Sequence, residues 1–261
     1  MSATIVARRP GMPRSLWLGL TLLILLVWSF SGLEIDGGRV AALPKTMARM
    51  FGLFFPPDVE YGRQSVVPAI LESIQIAWFG TLVGAALSLP LGLLASANLF
   101  PRATRLVKPL LAAVRAVPEL LLAIYFVPVV GLGAFAGTLA IGLHSIGTLG
   151  KLTADVVESM DQRPIEAVAA SGGGALSVLR FAVLPQVLPE IVALWLFRFE
   201  ISLRASAVLG VVGAGGIGGV LLNTLRYREF ARAGAVVVLT VIVVLAIDAV
   251  SGSIRERLVR E

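Results

Sequence analysis

The sequence of 261 residues contains no cysteine and a single histidine, His144. The lack of cysteine excludes disulfide bonds and thiolate metal ligands, and one histidine cannot form a histidine-rich metal site. A hydrolase embedded in a membrane would need a nucleophile and a base on adjoining helices. Ser171 lies in a polar connection rather than in an apolar stretch, so it does not meet that requirement. We therefore expect a chain with no catalytic residue and no metal ligand.

Charged residues are also scarce, at 15% of the chain, whereas soluble globular domains usually carry about 25%. Apolar types supply 57% of the residues, and the mean hydropathy is +0.90. This composition predicts a protein that crosses a membrane several times. The formal charge of +6 does not indicate nucleic-acid binding, because the basic residues are scattered and many flank apolar stretches.

Six apolar stretches predict six transmembrane helices. They cover residues 15–34, 69–97, 109–130, 134–157, 185–208 and 232–252. In lipid each segment must satisfy its own backbone polar groups, so we expect helices, and the alternating pattern of a membrane β-barrel is missing. The first stretch is long for a signal peptide and lacks a small-residue cleavage site, so it is predicted to stay as a span. These features predict an all-α integral membrane protein with one domain.

Lysine and arginine residues indicate the orientation of these helices. If the N-terminus is cytoplasmic, twelve of them, including Arg8 and Arg9, lie on the cytoplasmic side and six on the other side. This bias predicts that the N- and C-termini are both cytoplasmic. Of the two long connections, residues 35–68 are then outside, with a short surface helix at 44–55, and residues 158–184 are inside.

The inner connection carries a motif with fixed spacing. It reads Glu166-Ala167-Val168, three residues, Gly172, nine residues, and Ala182-Val183-Leu184-Pro185. Pro164 suits the first turn of a helix, where its missing N–H costs nothing. Gly172 allows a sharp turn, and residues 175–182 can form a second short helix. The motif therefore predicts a stiff helix–turn–helix on the cytoplasmic side.

This segment resembles the cytoplasmic loop of binding-protein-dependent ABC importer permeases. The pattern of that family is E-A-A, three residues, G, nine residues, then I-x-L-P, and Val168 and Ala182 depart from it by small apolar replacements. The stretches 115–152 and 198–218 and the sequence FFPPD (54–58) are similar to the phosphonate-transport (PhnE-type) group of the family. The resemblance covers most of residues 51–252.

The resemblance implies the MetI-like ABC permease fold, with six transmembrane helices and cytoplasmic termini. It also implies a homodimer in the bacterial inner membrane, two copies of a cytoplasmic ATPase subunit and a periplasmic or lipid-anchored substrate-binding protein. ATP and Mg²⁺ would bind to the ATPase partner, whereas this chain would hold no cofactor and no nucleic acid. The implied substrates are phosphonates, phosphite or hypophosphite. The implied ATPase-coupling residues are Glu166, Ala167, Gly172, Leu184 and Pro185.

Two other functions stay open. Permeases of the methionine or sulfonate type share the same loop, because the separate binding protein sets most of the selectivity. An ion-coupled secondary transporter would use buried acids such as Glu119 and Glu200. It would not need the loop, however, and no inverted repeat is evident.

The stretch VGAGGIG (212–218) has the glycine spacing of a dinucleotide-binding fingerprint. That fingerprint needs a preceding strand within a βαβ unit, whereas this stretch follows the fifth predicted span. We therefore expect a tight turn with close backbone packing at the outer end of that span. Exposed backbone N–H groups that attract an anion are the alternative. The glycines of this outer turn are Gly213, Gly215, Gly216 and Gly218.

Ionisable residues lie within the predicted spans, where they are costly and usually face a bundle interior or a water-filled path. Glu200 and Arg204 are four residues apart and are predicted to pair, as are Arg115 and Glu119. Arg198 has no such partner, so it either binds a passing phosphonate through its planar donor fork or neutralises Glu119. The candidates for the substrate path are Arg198, Glu200, Arg204, His144 and Glu119.

Overall fold

The computed structural model describes residues 14–32 and 36–260, and these residues form helices but no β-strand. The chain divides into two compact units, Met1–Gly52 and Leu53–Glu261. In the first unit, α1 (Arg14–Ser31) agrees with the first predicted span, although its apolar part, Trp17–Ser31, is shorter than the other candidate spans. Arg8 and Arg9, which contribute to the predicted orientation, lie outside the described residues.

A helix is present where one was predicted at 44–55, but it is longer, since α2 runs from Gly37 to Phe54. The side chain of Asp36 accepts a hydrogen bond from the N–H of Gly38 at 2.9 Å. This contact satisfies one of the free donors at a helix start, so the helix begins before Pro44 rather than at it.

The second unit is a helical bundle. Its helices are α3 (Val59–Tyr61), α4 (Val67–Ala95), α5 (Pro101–Ala116), α6 (Glu119–Val130), α7 (Ala134–Ser159), α8 (Arg163–Ala170), α9 (Ala175–Val178), α10 (Leu184–Leu209), α11 (Ile217–Arg226) and α12 (Phe230–Arg260). A π-helical turn at Gly62–Val66 joins α3 to α4. A second one, at Leu179–Val183, joins α9 to α10, so that one continuous helix extends over Ala175–Val212.

Three helices of the described residues are long and apolar enough to cross a membrane: Val59–Ala95, Ala175–Val212 and Phe230–Leu258. They contain the fifth and sixth predicted spans and all but the last two residues of the second, 69–97. The bent pair α5 and α6 is a fourth if it forms one span. Six spans are therefore confirmed only in part. The fourth predicted span coincides with α7, whose position inside the bundle reduces the need for an apolar surface towards lipid.

The third predicted span, 109–130, is wrong as a single helix. The chain bends by 82° between α5 and α6. Val117 has an extended backbone with ψ of 119°, because a proline disfavours the helical conformation in the residue before it. The break separates Arg115 from Glu119, so the predicted pair between them is also wrong.

The core of the bundle is the contact between α4 and α7, where glycines allow the two backbones to approach closely. A Cβ atom on Gly84 would lie 2.4 Å from the Cβ of Ser145, and one on Gly92 would lie 2.5 Å from the Cβ of Thr153. Small residues at such positions are typical of helix contacts in membranes. This packing fixes the middle of α7, which carries two of the polar residues described below.

Candidate functional site

The predicted helix–turn–helix is present as α8 and α9, here called the α8–α9 hairpin (residues 163–178). Pro164 lies in the first turn of α8, as expected. Gly172 has φ of +81°, a left-handed conformation that favours glycine, and it reverses the chain after α8. The N–H of Gly173 donates to the carbonyl of Val168 at 3.0 Å and closes the turn.

One side of the hairpin is anchored to the bundle. Ile165 packs against an apolar cluster at the adjoining ends of α7 and α10. The members of this cluster are Val156, Val157, Val183, Val187 and Ile191. At the start of α8, Asp161 accepts hydrogen bonds from the guanidinium of Arg163 and from its backbone N–H, and these contacts hold the pKa of Asp161 below its usual range. The hairpin is thus held at a fixed position.

The other side of the hairpin is open. Its exposed residues include Glu166, Ala167, Ala169, Ala170 and Leu176. Leu176 is 77% exposed, and Phe181 just beyond the hairpin is 65% exposed. At the start of α10, Leu184 is half-buried and Pro185 is exposed. A rigid, largely small and apolar surface with one acidic side chain is suited to a groove on another protein.

A buried charged cluster lies at the break between α5 and α6. This Arg198 cluster consists of Glu119, His144, Ser145 and Arg198. The Arg198 side chain is 6% exposed, and its Nη2 donates to Oε1 of Glu119. Its Nε donates to Oγ of Ser145 at 2.9 Å. Nδ1 of His144 lies 3.1 Å from Nη2 of Arg198 and 3.0 Å from Oε1 of Glu119. Arg198 therefore neutralises Glu119, which is one of the two roles that its sequence context indicated.

Glu200 and Arg204 do not pair with each other, so that prediction was wrong. Oε1 of Glu200 lies 3.1 Å from Nη2 of Arg255, and Nη1 of Arg204 donates to Oδ2 of Asp248 at 3.0 Å. The two partners on α12 are seven residues apart, so they lie on the same face of that helix, which packs beside α10. The structure thus brings together Glu119, His144 and Arg198. The other two candidates, Glu200 and Arg204, contact α12 instead.

Sequence reasoning missed three residues of these contacts, Ser145, Asp248 and Arg255. Asp248 carried a usable signal, since it is an acid within an apolar span and such residues need a partner. Ser145 and Arg255 gave no signal of their own, because a serine in a helix and an arginine near a helix end are common. Among the described residues, no group of three or more His, Cys, Asp or Glu side chains is placed to hold a metal ion.

The glycine stretch after α10 forms a tight turn. Gly213, Gly215 and Gly216 have φ of +84°, +81° and +77°. At Gly218 a Cβ atom would lie 1.9 Å from the carbonyl oxygen of Ala207, so only glycine fits the approach of α11 to α10. Helices flank the turn on both sides, which is incompatible with the βαβ unit of a dinucleotide site.

Three backbone donors in and beside this turn are used within the protein. The N–H groups of Gly213 and Ala214 donate to carbonyls at the end of α10, and that of Ile217 donates to Oγ of Ser73 at 2.9 Å. A Cβ atom on Gly215 would also lie 2.8 Å from a carboxylate oxygen of Glu72. An acid beside the turn and occupied donors favour tight turning and packing over anion binding.

Comparison with known proteins matches the chain to membrane components of transport systems. The family model for the binding-protein-dependent transport system inner membrane component matches residues 88–261. The phosphate-import permease protein PhnE of Mycolicibacterium smegmatis is 42% identical over 212 residues, which are 80% of this chain and 40% of that protein. The phosphite transport system permease protein PtxC of Stutzerimonas stutzeri is 37% identical over 235 residues, which are 89% of this chain and 85% of that protein. The chain thus spans less than half of the first relative and most of the second.

Solved structures of ABC transporters share the fold. An inward-facing crystal form of the MetNI methionine ABC transporter has a TM-score of 0.62 at 23% identity, covering 74% of this chain and 95% of that chain. An amino acid ABC transporter crystallised with histidines has a TM-score of 0.62 at 14% identity, covering 86% and 100%. These structures show the fold alone, whereas the matched family model and the two relatives show that the chain belongs to the family of binding-protein-dependent transport system inner membrane components.

Proposed function

We propose that this chain is the non-catalytic permease subunit of an ATP-driven importer for phosphonates or related phosphorus oxyanions such as phosphite and hypophosphite. The observation that carries this proposal is the α8–α9 hairpin, an anchored and exposed element on a bundle of the permease family. The substrate class rests on the relatives, which are named for phosphate and phosphite transport.

The proposed assembly contains two copies of this chain in the bacterial inner membrane, two cytoplasmic ATPase subunits that bind ATP and Mg²⁺, and an external binding protein. Each copy has six transmembrane helices and cytoplasmic termini. Glu166, Ala167 and Gly172, with Leu184 and Pro185 at the base, form the surface that docks to the ATPase. The turn at residues 213–218 faces the binding protein. The exposed small residues of the hairpin and the arginine and lysine bias support this arrangement.

A continuous helix provides the mechanical connection in this proposal. Ala175–Val212 contains α9 of the hairpin at one end and Arg198 further along. Its 38 residues correspond to about 57 Å at the usual rise of an α-helix. A push on the hairpin would therefore be relayed along one rod to the Arg198 cluster, without passing through a flexible joint. This is how ATP binding in a partner could alternate the access of a path through the bundle.

A permease for methionine is the second candidate, and the shared fold with the MetNI transporter is the observation that favours it. The likeness is at 23% identity, so it supports the fold rather than the substrate. An ion-coupled secondary transporter is disfavoured, because it gives no role to an exposed hairpin.

The test is uptake in proteoliposomes that contain this chain, its ATPase and its binding protein, with ATP and no ion gradient. Labelled methylphosphonate is expected to accumulate, and phosphite, but not methionine, is expected to compete. Accumulation that requires a proton gradient instead of ATP would contradict the importer, and competition by methionine alone would contradict the substrate class.

A further inference from the structure

The Arg198 cluster has the composition of an anion site that is filled by a side chain of the protein. Arg198 uses Nε for Ser145 and Nη2 for Glu119. Within the described residues, its Nη1 group makes no hydrogen bond. Among the described residues, the buried side-chain atoms that make no hydrogen bond are Trp195 Nε1, Glu200 Oε1, Asp248 Oδ1 and Ser251 Oγ, and Nη1 of Arg198 is not one of them. One of the two terminal amino groups of the guanidinium, Nη1, is therefore not used in a hydrogen bond and is not fully buried.

His144 and Arg198 lie well inside the helices that carry them, α7 and α10. His144 is ten residues from the start of α7, and Arg198 is eleven residues from the end of α10. At the usual helical rise both are about 15–17 Å from those ends, which is roughly half the thickness of the hydrocarbon layer of a bilayer. Ionisable groups at this depth usually line a path rather than stabilise a fold.

The break at Pro118 adds a second favourable element. α6 begins at Glu119, so the positive end of its helix dipole lies beside the guanidinium. Broken helices at the middle of a membrane commonly point such an end at an anionic substrate. Arg198, the Ser145 hydroxyl and the start of α6 thus provide complementary charge and hydrogen-bond donors for one small anion.

We infer that this arrangement is a transit site for a tetrahedral phosphorus oxyanion, and that the carboxylate of Glu119 occupies it whenever the substrate is absent. The inference rests on the proposed function and specifies a site for it. An arriving oxyanion takes the free Nη1 and displaces Glu119 from Nη2. The planar fork of Arg198 then makes paired hydrogen bonds to two oxygens of the substrate.

The stand-in carboxylate explains how such a site can release its ligand. An unpaired arginine at this depth would be costly and would hold an oxyanion tightly. With Glu119 beside it, the empty site carries no net charge from this pair, and the bound site contains two anionic groups next to one guanidinium. Repulsion from Glu119 therefore weakens binding and favours onward movement.

The test measures ligand-induced stabilisation of the full-length chain purified alone in detergent, so that the phosphate sites of the ATPase are absent. The thermal unfolding midpoint is followed by tryptophan fluorescence during titration with methylphosphonate, because a ligand that binds only the folded state raises this midpoint. Wild type is compared with Glu119→Gln, Arg198→Gln and the double variant. Arg204→Gln is the matched control, since this arginine is on the same helix and pairs with α12.

Glu119→Gln is expected to lower the apparent Kd for methylphosphonate by about tenfold, because it removes one competing charge-assisted hydrogen bond. Arg198→Gln and the double variant are expected to lose the shift, and Arg204→Gln is expected to keep the wild-type value. An unchanged Kd in Glu119→Gln, or a response that persists in the double variant, would overturn the inference.

Glu119→Asp keeps the charge and guards against a folding failure of the neutral variant. Its shorter carboxylate holds Arg198 less well, so methylphosphonate is expected to bind more tightly than to wild type, and weaker binding would overturn the site. Failure of the site and failure of the proposed function remain distinguishable. If the whole importer takes up methylphosphonate but binding does not depend on Glu119, only the site is contradicted. If Glu119→Gln binds sulfate more tightly but not methylphosphonate, the substrate class is contradicted.

Discussion

The α8–α9 hairpin and the Arg198 cluster are opposite kinds of site on one helical rod. The hairpin is exposed, and its shape follows from residues adjacent in sequence, with Pro164 in its first turn and Gly172 at its reversal. The cluster is buried, and Arg198 lies 53 to 79 residues along the chain from the three residues that it contacts. In our account, the first site receives force and the second site handles the substrate.

The hairpin could be inferred from local sequence, whereas the contacts of the cluster could not, and the reason is physical. A surface that must fit a separate motor needs a fixed local shape, so its signal is a compact motif. A site inside a bundle only requires that compensating charges meet in space. Each charged residue can therefore be recognised in the sequence, but the residue with which it pairs cannot. Substitutions at the two sites should therefore impair transport in different ways.

Glu166→Lys is expected to have the largest effect, with uptake reduced to background. It reverses the acidic charge on the exposed side of α8, which is expected to disrupt docking into the groove that receives the hairpin, while the anchored side through Ile165 is untouched. Uptake and ATPase rate should be measured in the same proteoliposomes. Glu60→Lys, a charge reversal at another exposed glutamate, is the control for membrane insertion. Normal uptake by Glu166→Lys would contradict the coupling role.

Arg198→Ala is expected to lower uptake by about tenfold or more, because breaking a buried ion pair leaves the carboxylate of Glu119 without its guanidinium partner. The ATPase should copurify with this variant as it does with wild type, since the hairpin is unchanged. Uptake per amount of assembled complex checks the prediction. A loss of copurification equal to the loss of uptake would show that the two sites are not separable.

Gly84→Val is expected to lower the thermal unfolding midpoint, by the equivalent of about 1–3 kcal/mol. The new side chain would enter the contact between α4 and α7, where even an added Cβ atom on Gly84 would lie 2.4 Å from the Cβ of Ser145. Gly219→Ala is the matched control, because its Cβ would make an ordinary contact at 3.5 Å with the carbonyl of Gly210. Equal midpoints for the two variants would show that the α4–α7 contact can widen without cost.

Arg204→Gln is expected to have the smallest effect, with uptake within about twofold of wild type, because partly exposed ion pairs contribute about 1 kcal/mol or less. The Arg204 side chain is 49% exposed and its partner Asp248 is 30% exposed. A loss as large as that of Arg198→Ala, in the same uptake assay, would place the substrate path between α10 and α12 instead.

The sequence predicted the positions of helices well wherever an apolar run or a residue at a helix end determined the local structure. It predicted the hairpin with its turn at Gly172, and it indicated that Arg198 could neutralise Glu119. It failed at Pro118, where the effect of proline on the preceding residue outweighed the apolar pattern of 109–130. It also failed for Glu200, because spacing along one helix says nothing of Arg255 on a neighbouring helix.

Site-directed crosslinking tests most directly whether the α8–α9 hairpin docks to an ATPase. The chain contains no cysteine, so a single introduced one reacts alone. Ala169→Cys, on the exposed side of α8, is expected to crosslink to the ATPase subunit, whereas Leu132→Cys, 79% exposed between α6 and α7, is expected not to. Crosslinking from residue 132 and none from residue 169 would contradict the account.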